Sequence, residues 1–156
     1  MIQNLLIGCS TMLVCLVVQC GVVGVLVRDL ARLEARGLFK PTLLWTAALL
    51  IFALLPMLAG NLVQMAVWAG VFLMCGEFSD FATAFYHSVV NFSTLGYGDV
   101  VMSEERRLLG ALEAANGVMM FGLTTSLLFA VLDALMRQAW DQRKKAGQNP
   151  AETTRT

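Results

Sequence analysis

Residues 93–99, with the sequence Ser-Thr-Leu-Gly-Tyr-Gly-Asp, are the stretch whose residue types could bind an ion. Gly96 and Gly98 reach backbone angles that cost other residues free energy, so the carbonyl oxygens between them can point to one side. The Thr94 hydroxyl could extend this row of oxygens, and Asp99 would place a carboxylate at its mouth. The stretch is predicted to be a cation site, and the alternative is a glycine-rich turn that joins two helices.

The segment 94–99 resembles the selectivity filter of the potassium channel family. Leu95 stands where valine is commoner in that family, an apolar exchange that leaves the backbone carbonyl in place. The resemblance implies an ion-binding filter made of Thr94, Leu95, Gly96, Tyr97 and Gly98, with K+ at the first four and Asp99 at the filter mouth. It also implies a homotetramer, because one pore loop supplies one quarter of such a filter.

The composition is that of an integral membrane protein. Of the 156 residues, 58% are hydrophobic and only 14% are charged, with a mean hydropathy of +0.70, whereas soluble domains are roughly 25% charged. The formal net charge is zero, so the expected partners are lipid, K+ ions and copies of the chain, and not nucleic acid. No nucleophile with a base, phosphate loop or metal constellation indicates an enzyme or a cofactor, and K+ would be the permeant ion.

The first apolar run, residues 2–27, is long enough to span a bilayer. A signal peptide is the alternative, but the first four residues carry no basic side chain and no small-residue cleavage site follows. The link after the run holds two acids and the basic residues Arg28, Arg32, Arg36 and Lys40. Basic links tend to stay cytoplasmic. Residues 1–41 are therefore predicted to form an extra transmembrane helix, with the N-terminus outside, and a basic cytoplasmic link.

The second apolar run is predicted to be an outer helix over residues 42–76. It is longer than one crossing requires, so the alternative is two short spans that meet at Gly60 and Asn61. One tilted helix with a kink near Pro56 fits better, because each half would be too short to span.

A short pore helix is predicted over residues 80–92, with Ser79 or Asp80 as its N-cap. About a dozen residues cannot cross a bilayer, so this helix would be re-entrant and lead directly into the filter at 94–99. His87, the single histidine, is predicted to be a packing residue and not a proton sensor.

An inner helix is predicted over residues 104–137, with Ser103 as its N-cap. The resemblance makes Gly117 the hinge of this helix, and Gly122 could be a close-packing point. Glu113 is an acid inside a membrane segment, so it is a functional candidate, predicted to lie behind the filter.

Four residues of the inner helix recur at intervals of four and share one face. They are the candidate pore lining and gate: Phe121, Thr125, Phe129 and Asp133. Contact with lipid or another helix is the alternative for the phenylalanines. Asp133 would form an acidic ring at the inner mouth or pair with Arg137 on the same helix.

The predicted fold is an all-α membrane protein with three transmembrane helices, a re-entrant pore helix and an extended filter, assembled as a tetramer. Residues 42–137 form the pore domain, and residues 138–156 form a cytoplasmic tail that is predicted to be disordered. The predicted function is passive, potassium-selective conduction across the cell membrane. A voltage sensor is not expected, since neither early apolar run contains a basic residue. The alternatives are a less selective cation channel and a non-conducting scaffold or accessory subunit.

Overall fold

The computed structural model describes residues 1–36 and 42–148, and this part of the chain is helical without a strand. Its helices are α1 (Ile2–Ala35), α2 (Leu43–Met74), α3 (Phe81–Phe92) and α4 (Arg107–Gln148). Within the described residues, α1, α2 and α4 are long and apolar enough to cross a membrane. The predicted class, an all-α protein with three membrane-spanning helices and a short helix between the last two, is confirmed.

Local signals explain where α2 and α3 begin. The Thr42 hydroxyl accepts a hydrogen bond from the Trp45 backbone N–H at 3.3 Å. The Asp80 carboxylate accepts from the Thr83 N–H at 2.8 Å, and this bond lowers the pKa of Asp80. Since α2 is one helix through Pro56, the alternative of two short spans is wrong.

Helix α1 is longer than the apolar run that predicted it. It continues to Ala35 and so includes Arg28 and Arg32, while residues 37–41 of the predicted link, with Lys40, lie outside the described part. Turns of helix beyond the apolar run form because arginine and leucine are good helix formers.

The direction of α1 follows from contacts at its start and in its middle. Asn4 donates to the Glu105 carbonyl and accepts from the Arg106 guanidinium, so α1 begins at the same end of the molecule as the segment after residue 99. Helix α2 runs the opposite way, because Gln19 contacts Gln64 whereas Val22, further along α1, lies against Gly60. The arginines of α1 therefore lie at the end of the molecule far from Asp99.

The predicted start of the inner helix is wrong. The Ser103 N–H and hydroxyl both donate to the Glu77 carboxylate, each at 2.8 Å. This side chain therefore does not cap α4, and residues 104–106 form a turn before the helix begins at Arg107.

The predicted disordered tail is also partly wrong, because α4 continues to Gln148. A helix of 42 residues is about 63 Å long, about twice the thickness of a bilayer core. The ammonium of Lys144 lies 5.8 Å from the centre of the Trp140 ring, a pair typical of the membrane surface. Residues 149–156 lie outside the described part.

The main core holds α3 between α2 and α4. Its ring contacts include Trp68 with Phe72 at 5.8 Å and Phe92 with Phe121 at 5.5 Å. The buried members of this core are Cys15, Met65, Trp68, Phe72, Phe92, Leu109 and Met120. The end of the pore helix is thus anchored at Phe92, just before the predicted filter.

A second set of contacts ties α1 to both neighbouring helices. The Gln64 amide donates to Gln19 at 2.7 Å, and the Gln19 amide donates to the Thr124 hydroxyl at 3.3 Å. All three side chains are buried, and we call them the glutamine cluster. Polar contacts of this kind hold helices together in lipid, where apolar surface gives no net driving force for association.

Candidate functional site

The backbone of the predicted filter alternates between two conformations. Thr94, Gly96 and Gly98 have φ angles of 60°, 58° and 75°, in the left-handed region, whereas Leu95 and Tyr97 do not have positive φ. Thr94 is the only non-glycine residue with positive φ in the described part of the chain. Alternation of this kind allows successive carbonyl groups to face the same side.

Hydrogen bonds to the pore helix occupy the N–H groups at the start of this loop. The Thr94 N–H donates to the Asn91 carbonyl at 2.9 Å, and the Leu95 and Gly96 N–H groups both donate to the Val90 carbonyl, at 2.9 and 3.3 Å. Since the donors are turned toward the helix, the loop can offer its acceptors to a cation.

The loop is exposed in a single chain. All residues from 94 to 99 are exposed, including Leu95 at 54% and Tyr97 at 67% of their surface. Irregular backbone at membrane depth is tolerated only when it is covered by protein or lines a water-filled path. One chain by itself therefore leaves this loop uncovered.

A carboxyl group from α4 lies behind the loop and joins it to the pore helix. The Glu113 carboxyl is 2.5 Å from the Ser88 hydroxyl and accepts from the Asn91 amide at 2.9 Å. We call Ser88, Asn91 and Glu113 the filter brace. The sequence predicted that Glu113 lies behind the filter but did not identify its partners. Asn91 also donates to the Gly110 carbonyl at 2.7 Å, so it links α3 to α4 twice.

The Ser88 hydroxyl has two neighbours but only one proton. It lies 2.8 Å from the Met65 carbonyl as well as 2.5 Å from Glu113. The Ser88 hydroxyl donates toward both acceptors, so this one side chain joins α3 to α2 and to α4.

Tyr86 is a functional candidate that sequence reasoning missed. Its hydroxyl donates to the Asp99 carboxylate at 2.7 Å. This bond is the main reason that the pKa of Asp99 is lowered and the pKa of Tyr86 is raised. The two residues are 13 positions apart, so only the return of the chain through the loop brings them together.

The imidazole ring of His87 packs against two phenylalanine rings. Its centroid lies 5.0 Å from that of Phe78 and 5.5 Å from that of Phe72, and its Nδ1 is 3.0 Å from the Val100 carbonyl oxygen. The histidine thus joins the pore helix to the segment that follows the loop.

Gly117 allows α4 to cross close to the end of the pore helix. A Cβ atom at this position would overlap the Phe92 carbonyl oxygen and lie 2.8 Å from its carbonyl carbon. Open space surrounds Gly122 within 4 Å in the described chain, so within one chain Gly117 packs more closely than Gly122. Its role as a hinge stays a prediction.

The predicted pore-lining residues of α4 begin beside Phe92, at the end of the pore helix, and continue along α4 away from the loop. Phe121 packs edge-on against Phe92, Thr125 is exposed, and Phe129 is 70% exposed. Asp133 accepts from the Arg137 guanidinium at 2.9 Å, which is the geometry of the ion-pair alternative. The roles of these residues in lining, gating or an acidic ring stay predictions.

The described geometry is that of a pore-loop membrane protein: a short helix and a loop of alternating backbone conformation lie between two helices that are long and apolar enough to span a membrane. A family model described as "Ion channel" matches residues 60–134. The match covers just under half of the chain, and over these residues it confirms the predicted resemblance to the potassium channel family with a single pore loop. No curated protein and no solved structure matches the chain significantly. The match indicates ion transport, and α1 lies outside it.

Proposed function

We propose that this chain forms a homotetrameric, potassium-selective channel that conducts K+ passively and has no voltage sensor. The observation that carries the proposal is the alternating left-handed backbone at Thr94, Gly96 and Gly98 in an exposed loop. Rings of backbone carbonyls replace the hydration shell of K+ in channels of this type. In this proposal the K+ ligands are Thr94, Leu95, Gly96 and Tyr97.

The backbone of the loop argues against a non-conducting scaffold. A non-glycine residue held in the left-handed region costs on the order of 1–3 kcal/mol, and Thr94 adopts it with a φ of 60°. Such strain is typical of functional sites. A turn that only joins two helices would not need a strained threonine beside two left-handed glycines.

A less selective cation channel is the nearer alternative. Selectivity depends on how the surroundings hold the carbonyl groups, either by cavity size or by the number of oxygen ligands. The filter brace favours selectivity, since Glu113 and Asn91 fix the end of the pore helix on which the loop is anchored.

The proposed topology in the cell membrane places the N-terminus outside and the C-terminus in the cytoplasm. Arg28, Arg32 and Arg36 lie at the end of α1 that is far from Asp99. Basic residues next to transmembrane segments are enriched on the cytoplasmic side. The filter mouth would then face outward.

Rubidium uptake into proteoliposomes tests the proposal. We expect Gly96→Ala and Gly98→Ala to abolish selective uptake, because an added methyl disfavours the left-handed angles at both positions. Gly24→Ala is the matched control, since nothing lies within 4 Å of this glycine and it is helical.

Cross-linking in mild detergent tests the assembly, and the products should extend to four subunits and stop there. Selective uptake that survives both filter substitutions would show that the loop is only a turn. A monomer or dimer with full ion flux would overturn the tetramer.

A further inference from the structure

A groove between α1 and α2 lies at the arginine-bearing end of α1, outside the matched family region. Its wider part is a cavity of 440 Å³ whose lining includes Arg32, Arg36, Trp45 and Phe52. A second cavity of 310 Å³ is lined by Leu26, Leu55 and Pro56, among others. Asp29 and Phe52 line both cavities, so the two form one continuous groove along the pair of helices.

The groove changes in polarity along its length. At the helix ends it is lined by the charged residues Asp29, Arg32 and Arg36. One to two turns nearer the middle of the membrane, the lining is apolar except for Asp29. A charged end at the membrane surface and an apolar end in the hydrocarbon region match the two parts of a phospholipid.

The charged end favours an anion. The Arg32 guanidinium is 3.2 Å from Asp29, and Arg28 is 3.9 Å from the same carboxylate. Two lining arginines against one lining acid leave an excess of one positive charge in the wider cavity. The side chain of Arg32 remains 60% exposed, so its remaining N–H groups are accessible.

A buried donor lies at the same end of the groove. The indole Nε1 of Trp45 has no hydrogen-bond partner among the described residues, although buried polar groups are normally paired. An indole N–H can only donate. The indole ring lines the groove beside Arg32 and Arg36, and phosphate oxygens are acceptors that suit the two guanidinium groups.

We propose that this groove binds an anionic phospholipid from the leaflet opposite the filter mouth. The headgroup phosphate lies among Arg32, Arg36 and the Trp45 indole, and an acyl chain runs past Phe52 and Leu55. A soluble phosphate ion shares the headgroup chemistry but has nothing to occupy the apolar part of the groove. The site joins α1 to the outer helix and does not depend on which ion the filter conducts.

Fluorescence quenching by brominated lipids tests this site. The full-length protein is placed in vesicles that contain phosphatidylcholine and a minor fraction of brominated phosphatidylglycerol or brominated phosphatidylcholine. The signal of Trp45 is the difference between the parent and Trp45→Phe, which removes the contributions of Trp68 and Trp140. We expect at least twofold stronger quenching by the anionic lipid at equal mole fraction.

Substitution of the arginines gives the second measurement. One basic residue near an anionic surface strengthens binding roughly fivefold. The double variant Arg32→Gln, Arg36→Gln should therefore need at least roughly tenfold more anionic lipid for half-maximal quenching. Arg137→Gln, which removes a charge from α4, is the matched control and should behave as the parent.

Two results would overturn the proposal. Equal quenching of the Trp45 signal by the two lipids would remove the preference for an anion. Inorganic phosphate that abolishes the excess quenching at equal ionic strength would assign the cationic end to a soluble ion and not to a lipid.

Discussion

The molecule contains two clusters of buried polar side chains, the filter brace and the glutamine cluster, which differ in their hydrogen bonding. The filter brace joins the pore helix to α4 through Glu113, with contacts of 2.5 and 2.9 Å to both carboxyl oxygens. The glutamine cluster joins α1 to α2 and α4, with one contact of 2.7 Å and one of 3.3 Å. The brace lies inside the matched range 60–134, whereas Gln19 lies outside it.

The two groups also differ in how completely their polar atoms are paired. Both oxygens of Glu113 have partners, but Gln64 Oε1 and the nearby Asn61 Oδ1 are buried without a partner among the described residues. A fully paired buried network makes a structure rigid, and a partly paired one does so less. We infer that the brace fixes the geometry of the loop at residues 94–99 and that the glutamine cluster attaches α1 with more freedom to adjust.

The largest expected effect is that of Gly117→Ala, next to the brace. The new methyl would overlap backbone atoms of Phe92, which cannot move without shifting the end of the pore helix. Overpacking of this kind costs about 1–3 kcal/mol, so we expect loss of selective rubidium uptake and a lower thermal unfolding temperature. Gly21→Ala, in open space on α1, is the control, and parent-like uptake by Gly117→Ala would contradict the close contact.

Glu113→Ala should have the next largest effect. It leaves Asn91 without one of its two acceptors and creates a void behind the filter, with an expected cost of about 1–3 kcal/mol. Glu113→Gln keeps one acceptor for Asn91 and a hydrogen-bonding group for Ser88, so it should retain most of the selective uptake. Uptake lost equally in both variants would mean that the carboxyl has a role beyond these hydrogen bonds.

Gln19→Leu should have a smaller effect, and on stability more than on conduction. Hydrogen bonds between helices in a membrane contribute about 0.6 kcal/mol on average, and this change removes two of the contacts of α1. We expect faster proteolysis or detergent release of α1 with unchanged ion selectivity. Gln3→Leu, an exposed position on the same helix, is the control, and altered selectivity in Gln19→Leu would show that α1 acts on the filter.

Tyr86→Phe should have the smallest effect, and only when the pH is lowered. The bond from Tyr86 lowers the pKa of Asp99, so its loss raises that pKa toward the ordinary value for an aspartate. The carboxylate at the mouth then becomes protonated at a higher pH, and the acid-induced decrease in rubidium uptake should begin at a higher pH than in the parent. Asp99→Asn should remove this pH dependence, and identical profiles for Tyr86→Phe and the parent would exclude the coupling.

The sequence alone determined the features that depend on near neighbours in the chain. The apolar runs predicted three spans, the two glycines of the loop predicted its left-handed backbone, and Asp80 was one of two predicted caps for the pore helix. The predicted end of α4 failed because the sequence between Arg137 and Gln148 has no proline, and its only glycine is Gly147. The predicted Ser103 cap failed because Glu77, 26 residues earlier, binds that side chain.

Only the tertiary structure decided which distant side chains meet. Ser88 and Glu113 are 25 residues apart, Tyr86 and Asp99 are 13 apart, and Gln19 and Thr124 are 105 apart. Hydropathy and helix propensity act along one helix and indicate which residues share a face. They do not determine how that face is rotated against a neighbouring helix or how far the helix is shifted along its axis. Those two quantities depend on packing across the whole interface, and here they set the partner of Glu113 and the shape of the groove beside Trp45.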